Sequence, residues 1–153
     1  DADALWHLEG VAAAVLKRRR GPVIITPHDG EFSLLDGASP AADRIASAQA
    51  LANTLEVVVL LKGPTTVIAS PASPAHVVSE GDVRLATAGT GDVLAGLIGA
   101  LLAQGLEAQR AASAAAFVHG RAGRLGQSVG FIASDLPKLI PRALAELSAS
   151  NTI

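Results

Sequence analysis

Apolar residues recur at helical spacing from Ala4 to Arg19, where Leu5, Leu8, Val15 and Leu16 share a face and Gly21-Pro22 follow. That spacing predicts one helix, ended by the glycine and proline. Val23-Ile24-Ile25-Thr26 and Val57 to Leu61 have another texture, being short, unbroken and rich in β-branched residues. Such runs suit parallel strands covered on both faces. Between them, Glu31 to Leu35 reads as a helical turn, and Ser39-Pro40 as the cap and first residue of a helix reaching about Thr54.

Beyond Leu61 the pattern shortens. Thr65 to Ala69, His76 to Val78 and Val83 to Leu85 alternate with Pro71, Ser73-Pro74 and Gly81-Asp82, which predicts a small antiparallel meander. Three helices are predicted after it, at about 91–104, 110–125 and 135–148, the last capped by Ser134 and kinked or divided at Pro141. The order helix, strand, helix, strand, meander, helices indicates a layered α/β fold. Two strong parallel strands make an incomplete sheet, so residues 1–153 are expected to be part of a larger domain. The lack of any methionine and the start at Asp1 support that expectation.

Composition narrows the function classes. Half of the residues are apolar and 17% are charged, as in a globular domain. A net charge of -2 makes no electrostatic case for nucleic acid. The one basic run, Lys17 to Arg20, sits at the end of a predicted helix, where cations suit the dipole on a solvated face. With no cysteine, disulfides, zinc-thiolate sites and thiol catalysis are excluded together. No apolar run reaches membrane-spanning length without glycine and no signal peptide opens the chain, so a cytoplasmic location is expected.

Candidate chemistry starts at Gly89-Thr90-Gly91-Asp92, just ahead of the small-and-apolar helix Val93 to Leu102. A helix start offers unpaired N–H groups and about half a positive charge. Glycines there let a phosphate approach the backbone, the logic of an anion loop without the usual lysine. Asp92 beside a transferring phosphoryl group suits a base that takes a hydroxyl proton. Two further stretches end the parallel strands: Thr26 to Phe32, with His28, and Leu61 to Pro71, with Lys62, Gly63-Pro64 and the hydroxyls of Thr65 and Thr66. Ligands of open α/β sheets bind beyond the carboxyl ends of strands, so these stretches and the glycine loop are expected to meet in one crevice. Asp1 and Asp3 are expected to cap the first helix.

In order and spacing these stretches resemble the ADP- or ATP-dependent NAD(P)H-hydrate dehydratases of the ribokinase-like superfamily. The family's T-P-H-P-G-E stands here as Thr26-Pro27-His28-Asp29-Gly30-Glu31, its K-G-x-x-T as Lys62 to Thr66, and its G-x-G-D as Gly89 to Asp92. Asp1 to Leu5 and Ala133 to Leu136 also resemble family segments, so the likeness covers nearly the whole chain, as the C-terminal half of a catalytic domain. It implies a ribokinase-like α/β/α sandwich and a repair reaction: the hydroxyl of a hydrated nicotinamide is phosphorylated, and phosphate elimination restores the reduced ring. By the same resemblance His28 contacts the hydrated cofactor, Lys62 to Thr66 line the nucleotide site, Gly91 borders the phosphates, and Asp92 contacts the substrate as base. ADP or ATP and Mg2+ are the implied cofactors, with no dedicated metal ligands in this chain. A homo-oligomer, or association with a missing N-terminal half, is implied as well. Asp29 replaces the family's proline, which predicts a looser His28 loop with added negative charge. Two other readings stay open at this point: a vitamin-precursor or sugar kinase of the same superfamily, and a truncated module that binds nucleotide without catalysis.

Overall fold

The computed structural model describes residues 1–36, 38–71 and 73–150. The run after Glu56 becomes strand β2 (Val58–Leu61), buried along its whole length. It pairs in parallel with β1 (Ile24–Ile25), Ile24 opposite Val58 and Ile25 opposite Val59. On its other side β3 (Thr66–Ser70) and β4 (Ser73–Val78) follow antiparallel, giving the order β1-β2-β3-β4.

Alternation along β2 sorts its side chains into two layers. Val57, Val59 and Leu61, with Ile25, Val67 and Ala69, pack against α1 (Asp3–Trp6), α2 (Ala12–Leu16), α3 (Asp29–Asp36) and α4 (Arg44–Leu55) through Leu5, Leu16, Phe32, Leu51 and Leu55. Val58, Leu60 and Ile68 face α5 (Thr90–Ala103) and α6 (Ala108–Arg124), meeting Leu94, Ile98, Ala112 and Ala115. The alanines of α6 let that helix lie close on the sheet. α7 (Leu136–Ser150) packs behind it, Leu136 and Ala143 against Val118 and Ala122. Each buried Leu, Val or Ile side chain contributes about 1.5–3 kcal/mol, so this three-layer α/β sandwich is held from both sides of the sheet.

Several expected elements differ. The first helix is two short pieces, because the chain turns between Trp6 and Ala12 and Gly10 takes φ +69°. Asp1 does not cap it; no side chain does. α4 starts later than Ser39-Pro40, since Asp43 Oδ1 accepts the Ala46 N–H at 2.9 Å. Val83 to Leu85 is no strand but part of a 3-10 turn, Val83–Ala86, nucleated where Asp82 Oδ1 accepts the Arg84 N–H at 3.0 Å. A second 3-10 turn, Ala133–Asp135, leads into α7, and Asp135 rather than Ser134 bonds there, to the Ile132 N–H at 3.1 Å. α7 is not divided at Pro141; that residue is exposed, so the carbonyl it leaves without a partner can be solvated.

Candidate active site

β1 and β2 run in parallel, so their carboxyl ends open on the same edge of the sheet. The chain leaves β1 through Thr26-Pro27-His28, and the Lys62 N–H donates to the Pro27 carbonyl at 2.8 Å, extending the pairing one step past the strands. His28 and Lys62 are therefore delivered side by side. His28 Nδ1 accepts the Gly30 and Glu31 N–H groups at 3.1 and 3.2 Å, at the start of α3. That pairing assigns the proton of the neutral ring to Nε2, which lies 3.6 Å from Glu31 Oε2.

Glu31 is the hub beneath them. It is buried, 4% exposed, and its Oε1 accepts the Ala2 N–H at 3.0 Å while Oε2 accepts the His28 N–H at 2.8 Å. Lys62 Nζ stands 3.4 Å from Oε2 and 2.6 Å from Asp1 Oδ1. Burial pushes the Glu31 carboxyl up, but the His28 amide and the Lys62 ammonium together outweigh it and hold the group below the ordinary carboxylate range. Ala2 carries φ +48°, a backbone setting that suits glycine, in the residue that joins Asp1 to α1.

The third contributor is the turn into α5. Gly89 caps the helix at φ +88°, where a side chain would be strained. Thr90 is buried and points inward; its hydroxyl lies 2.7 and 2.8 Å from the Leu85 and Thr87 carbonyls and donates to them. Behind the turn, His119 Nε2–H donates to the Thr90 carbonyl at 2.9 Å. Burial pushes the His119 imidazole below its usual value, only partly offset by that bond, which favours the neutral ring. Gly91 faces the lysine. A Cβ at Gly91 would lie 2.9 Å from Asp1 Oδ2 and 3.4 Å from Lys62 Nζ. Lys62, just past the end of β2, thus stands beside the turn.

Asp92 follows in the first turn of α5, exposed, and its carboxylate has no hydrogen bond or ion pair among the described residues. Together these groups border a crevice of about 950 Å³. Its lining includes His28, Lys62, Gly63, Pro64, Thr66, Gly89, Thr90, Gly91 and Asp92 from the sequence-derived set; Thr65 lies outside it. An apolar portion comes from Val78, Val83, Leu85, Leu94 and Ala116. Asp1 and His119 are lining residues whose roles the sequence did not reveal, and Glu31 of the Thr26 to Phe32 stretch lines the crevice as well. A histidine followed by glycine in an otherwise alanine-rich helix was the available signal for His119. The negative charge that Asp29 adds to the loop is met by Arg44, whose Nη1 donates to its carboxylate at 2.8 Å. Nowhere among the described residues do three or more His, Cys, Asp or Glu gather as a metal cage. None of the described helices is long and apolar enough to cross a membrane.

Comparison with known proteins places the chain among dehydratases. A family model described as NAD(P)H-hydrate dehydratase matches residues 1–144. The chain is 49% identical over 125 residues to the bifunctional NAD(P)H-hydrate repair enzyme of Mycobacterium leprae, covering 82% of this chain and 26% of that protein. It is 40% identical to the ADP-dependent (S)-NAD(P)H-hydrate dehydratase of Neisseria meningitidis, covering 89% of this chain and 47% of that one. A crystal structure of the ADP/ATP-dependent NAD(P)H-hydrate dehydratase of Bacillus subtilis, co-crystallised with ATP and Mg2+, superposes with a TM-score of 0.79 at 33% identity, over 84% of this chain and 49% of that one. A ribokinase-like superfamily protein of Enterococcus faecalis shares the fold at 24% identity and a TM-score of 0.69. The chain thus spans from about a quarter to half the length of these dehydratase relatives.

Proposed function

Because this chain belongs to the NAD(P)H-hydrate dehydratase family, we propose that it carries the nucleotide side and part of the substrate side of an enzyme that dehydrates hydrated NADH or NADPH at the expense of ADP or ATP. The observation that carries this reading is the meeting of Lys62 Nζ with Gly91, 3.4 Å from where its Cβ would be, at the N-terminus of α5 beside Asp92. A terminal phosphate at that turn is met by backbone N–H groups, by the helix dipole and by a lysine that two carboxylates already hold in place.

The remaining roles follow from position. Asp92, exposed and unpaired among the described residues, takes the proton of the substrate hydroxyl as its oxygen attacks the terminal phosphoryl group. The C–O bond of the phosphate ester then breaks with its electron pair going to the departing phosphate, a neighbouring ring carbon loses its proton to water, and that C–H pair becomes the restored double bond. His28 presents Nε2–H as a fixed donor to the hydrated cofactor. Gly63, Pro64, Thr65 and Thr66 follow Lys62 along the nucleotide, and Val78, Val83 and Leu85 offer an apolar surface for its base. Thr65, outside the lining, is the weakest member of that set. Asp1 and Glu31 are committed to Lys62, so they form no ready cage for Mg2+. The ion would reach the site on the phosphate oxygens, where it neutralises their charge.

The test is recovery of reduced-nicotinamide absorbance when the complete protein receives hydrated NADH, Mg2+ and either ADP or ATP. Recovery with one of the nucleotides is the expected result, and none with either rejects the reading. The kinase alternative is not favoured by the family match; it predicts a stable phosphorylated alcohol without elimination.

A further inference from the structure

α4 begins at Arg44, whose side chain bridges two loops of the site without lining the crevice. Nη1 donates to Asp29 Oδ1 at 2.8 Å, and Nη2 donates to the Lys62 carbonyl at 2.8 Å. Asp29 directly follows His28, and the Lys62 carbonyl directly precedes Gly63. A Cβ on Gly63 would stand 2.7 Å from Nη2, so the absence of a side chain there is what lets the guanidinium reach the carbonyl. Nε, on the chain side of the guanidinium, is buried without a hydrogen-bond partner. A planar fork with both ends engaged sets the separation of its partners more rigidly than an ammonium would.

We propose that Arg44 is a positioning residue that locks the His28 loop to the Lys62 loop, so that hydrated cofactor and nucleotide are held at a fixed separation. This role rests on the dehydratase reading above. The two arms are unequal. The Asp29 side chain is 60% exposed, so its ion pair is screened and weak. The bond to the Lys62 carbonyl is partly buried and acts on the backbone that aims the nucleotide-side lysine. Losing Asp29 therefore disturbs only the His28 side, whereas losing the guanidinium disturbs both.

Arg44→Met, Arg44→Lys and Asp29→Asn in the complete protein separate these effects. ATP and ADP affinity is measured by calorimetry with Mg2+, which needs no turnover, and KM for hydrated NADH is measured at saturating nucleotide. Arg44→Met is expected to weaken nucleotide binding and raise that KM about fivefold each, with kcat nearly unchanged. Asp29→Asn is expected to raise KM about twofold and leave nucleotide affinity alone. Arg44→Lys, reaching one partner at a time, recovers less than half of the loss. Unchanged nucleotide affinity in Arg44→Met, or in Arg44→Lys should the methionine variant fail to fold, overturns the role. So does an equal loss of both ligands in Asp29→Asn. A wild type that binds no nucleotide rejects the dehydratase reading and this role with it. A wild type that binds nucleotide but dehydrates nothing rejects only the reading, and the nucleotide arm of the comparison still stands or falls by calorimetry.

Discussion

Lys62 and Asp92 border one crevice yet are held in opposite ways. The lysine has two carboxylates on its ammonium, Asp1 at 2.6 Å and Glu31 at 3.4 Å, while its N–H donates to the Pro27 carbonyl and its own carbonyl accepts from Arg44 Nη2. The aspartate stands exposed in the first turn of α5 with no hydrogen bond or ion pair among the described residues. On the proposed reading, the difference separates binding from chemistry. A cation that must meet a phosphate gains from being fixed in advance, because little is lost in ordering it later. On the same reading, a base that must accept a proton gains from a carboxylate held by no hydrogen bond.

The largest expected effect breaks the chemical half alone. Asp92→Asn should cut turnover about 10²–10⁴-fold while nucleotide affinity, read by calorimetry, stays within a few-fold. Equal loss of both would make Asp92 a structural residue. Next is Gly91→Val, which places carbon against the Asp1 carboxylate and the Lys62 ammonium. Nucleotide affinity is expected to fall at least about tenfold, ~1.4 kcal/mol, and unaltered affinity would place the phosphates elsewhere.

Acidity sharpens the contrast more gently. His119 is held below its ordinary 6.5 by burial, so its stabilising neutral form is complete above that pH and is lost as pH falls below it. Glu31 is held below its ordinary 4.5; its contribution is complete above that value and is lost as pH falls further, through the folded-state value. Denaturant midpoints measured down the pH scale should show two successive losses. His119→Gln, which keeps a donor toward Thr90, should remove the first, and persistence of that limb would assign it to another group. The smallest effect lies far from the crevice chemistry: Asp43→Ala removes the cap of α4 and should cost about 1 kcal/mol in thermal or denaturant unfolding. A loss much larger than that would mean the α4 start also braces Arg44.

The sequence was most legible where chemistry is local. Val57 to Leu61 and Val23 to Thr26 announced buried parallel strands by their unbroken apolar runs, and the three loops at their ends and at the start of α5 were visible as motifs. What stayed hidden depends on contacts across the chain. Glu31 looks like any helix-start carboxylate until Ala2, His28 and Lys62 converge on it. Val83 to Leu85 has the composition of a strand, yet the Asp82 side chain and the Thr90 hydroxyl claim its backbone for a turn. Ser39-Pro40 carried a plausible start signal that lost to Asp43 four residues later. Nothing local marks Arg44 as a bridge, because its two partners lie 15 and 18 residues away.

The most direct test of the central claim, that β2 supplies the lysine for the α5 anion turn, is calorimetric titration of ATP and ADP into the complete protein and its Lys62→Met variant. The expected result is at least about tenfold weaker binding of both nucleotides in the variant, with Asp92→Asn binding as the wild type does. Equal affinity in Lys62→Met and wild type, with both proteins folded, would contradict it.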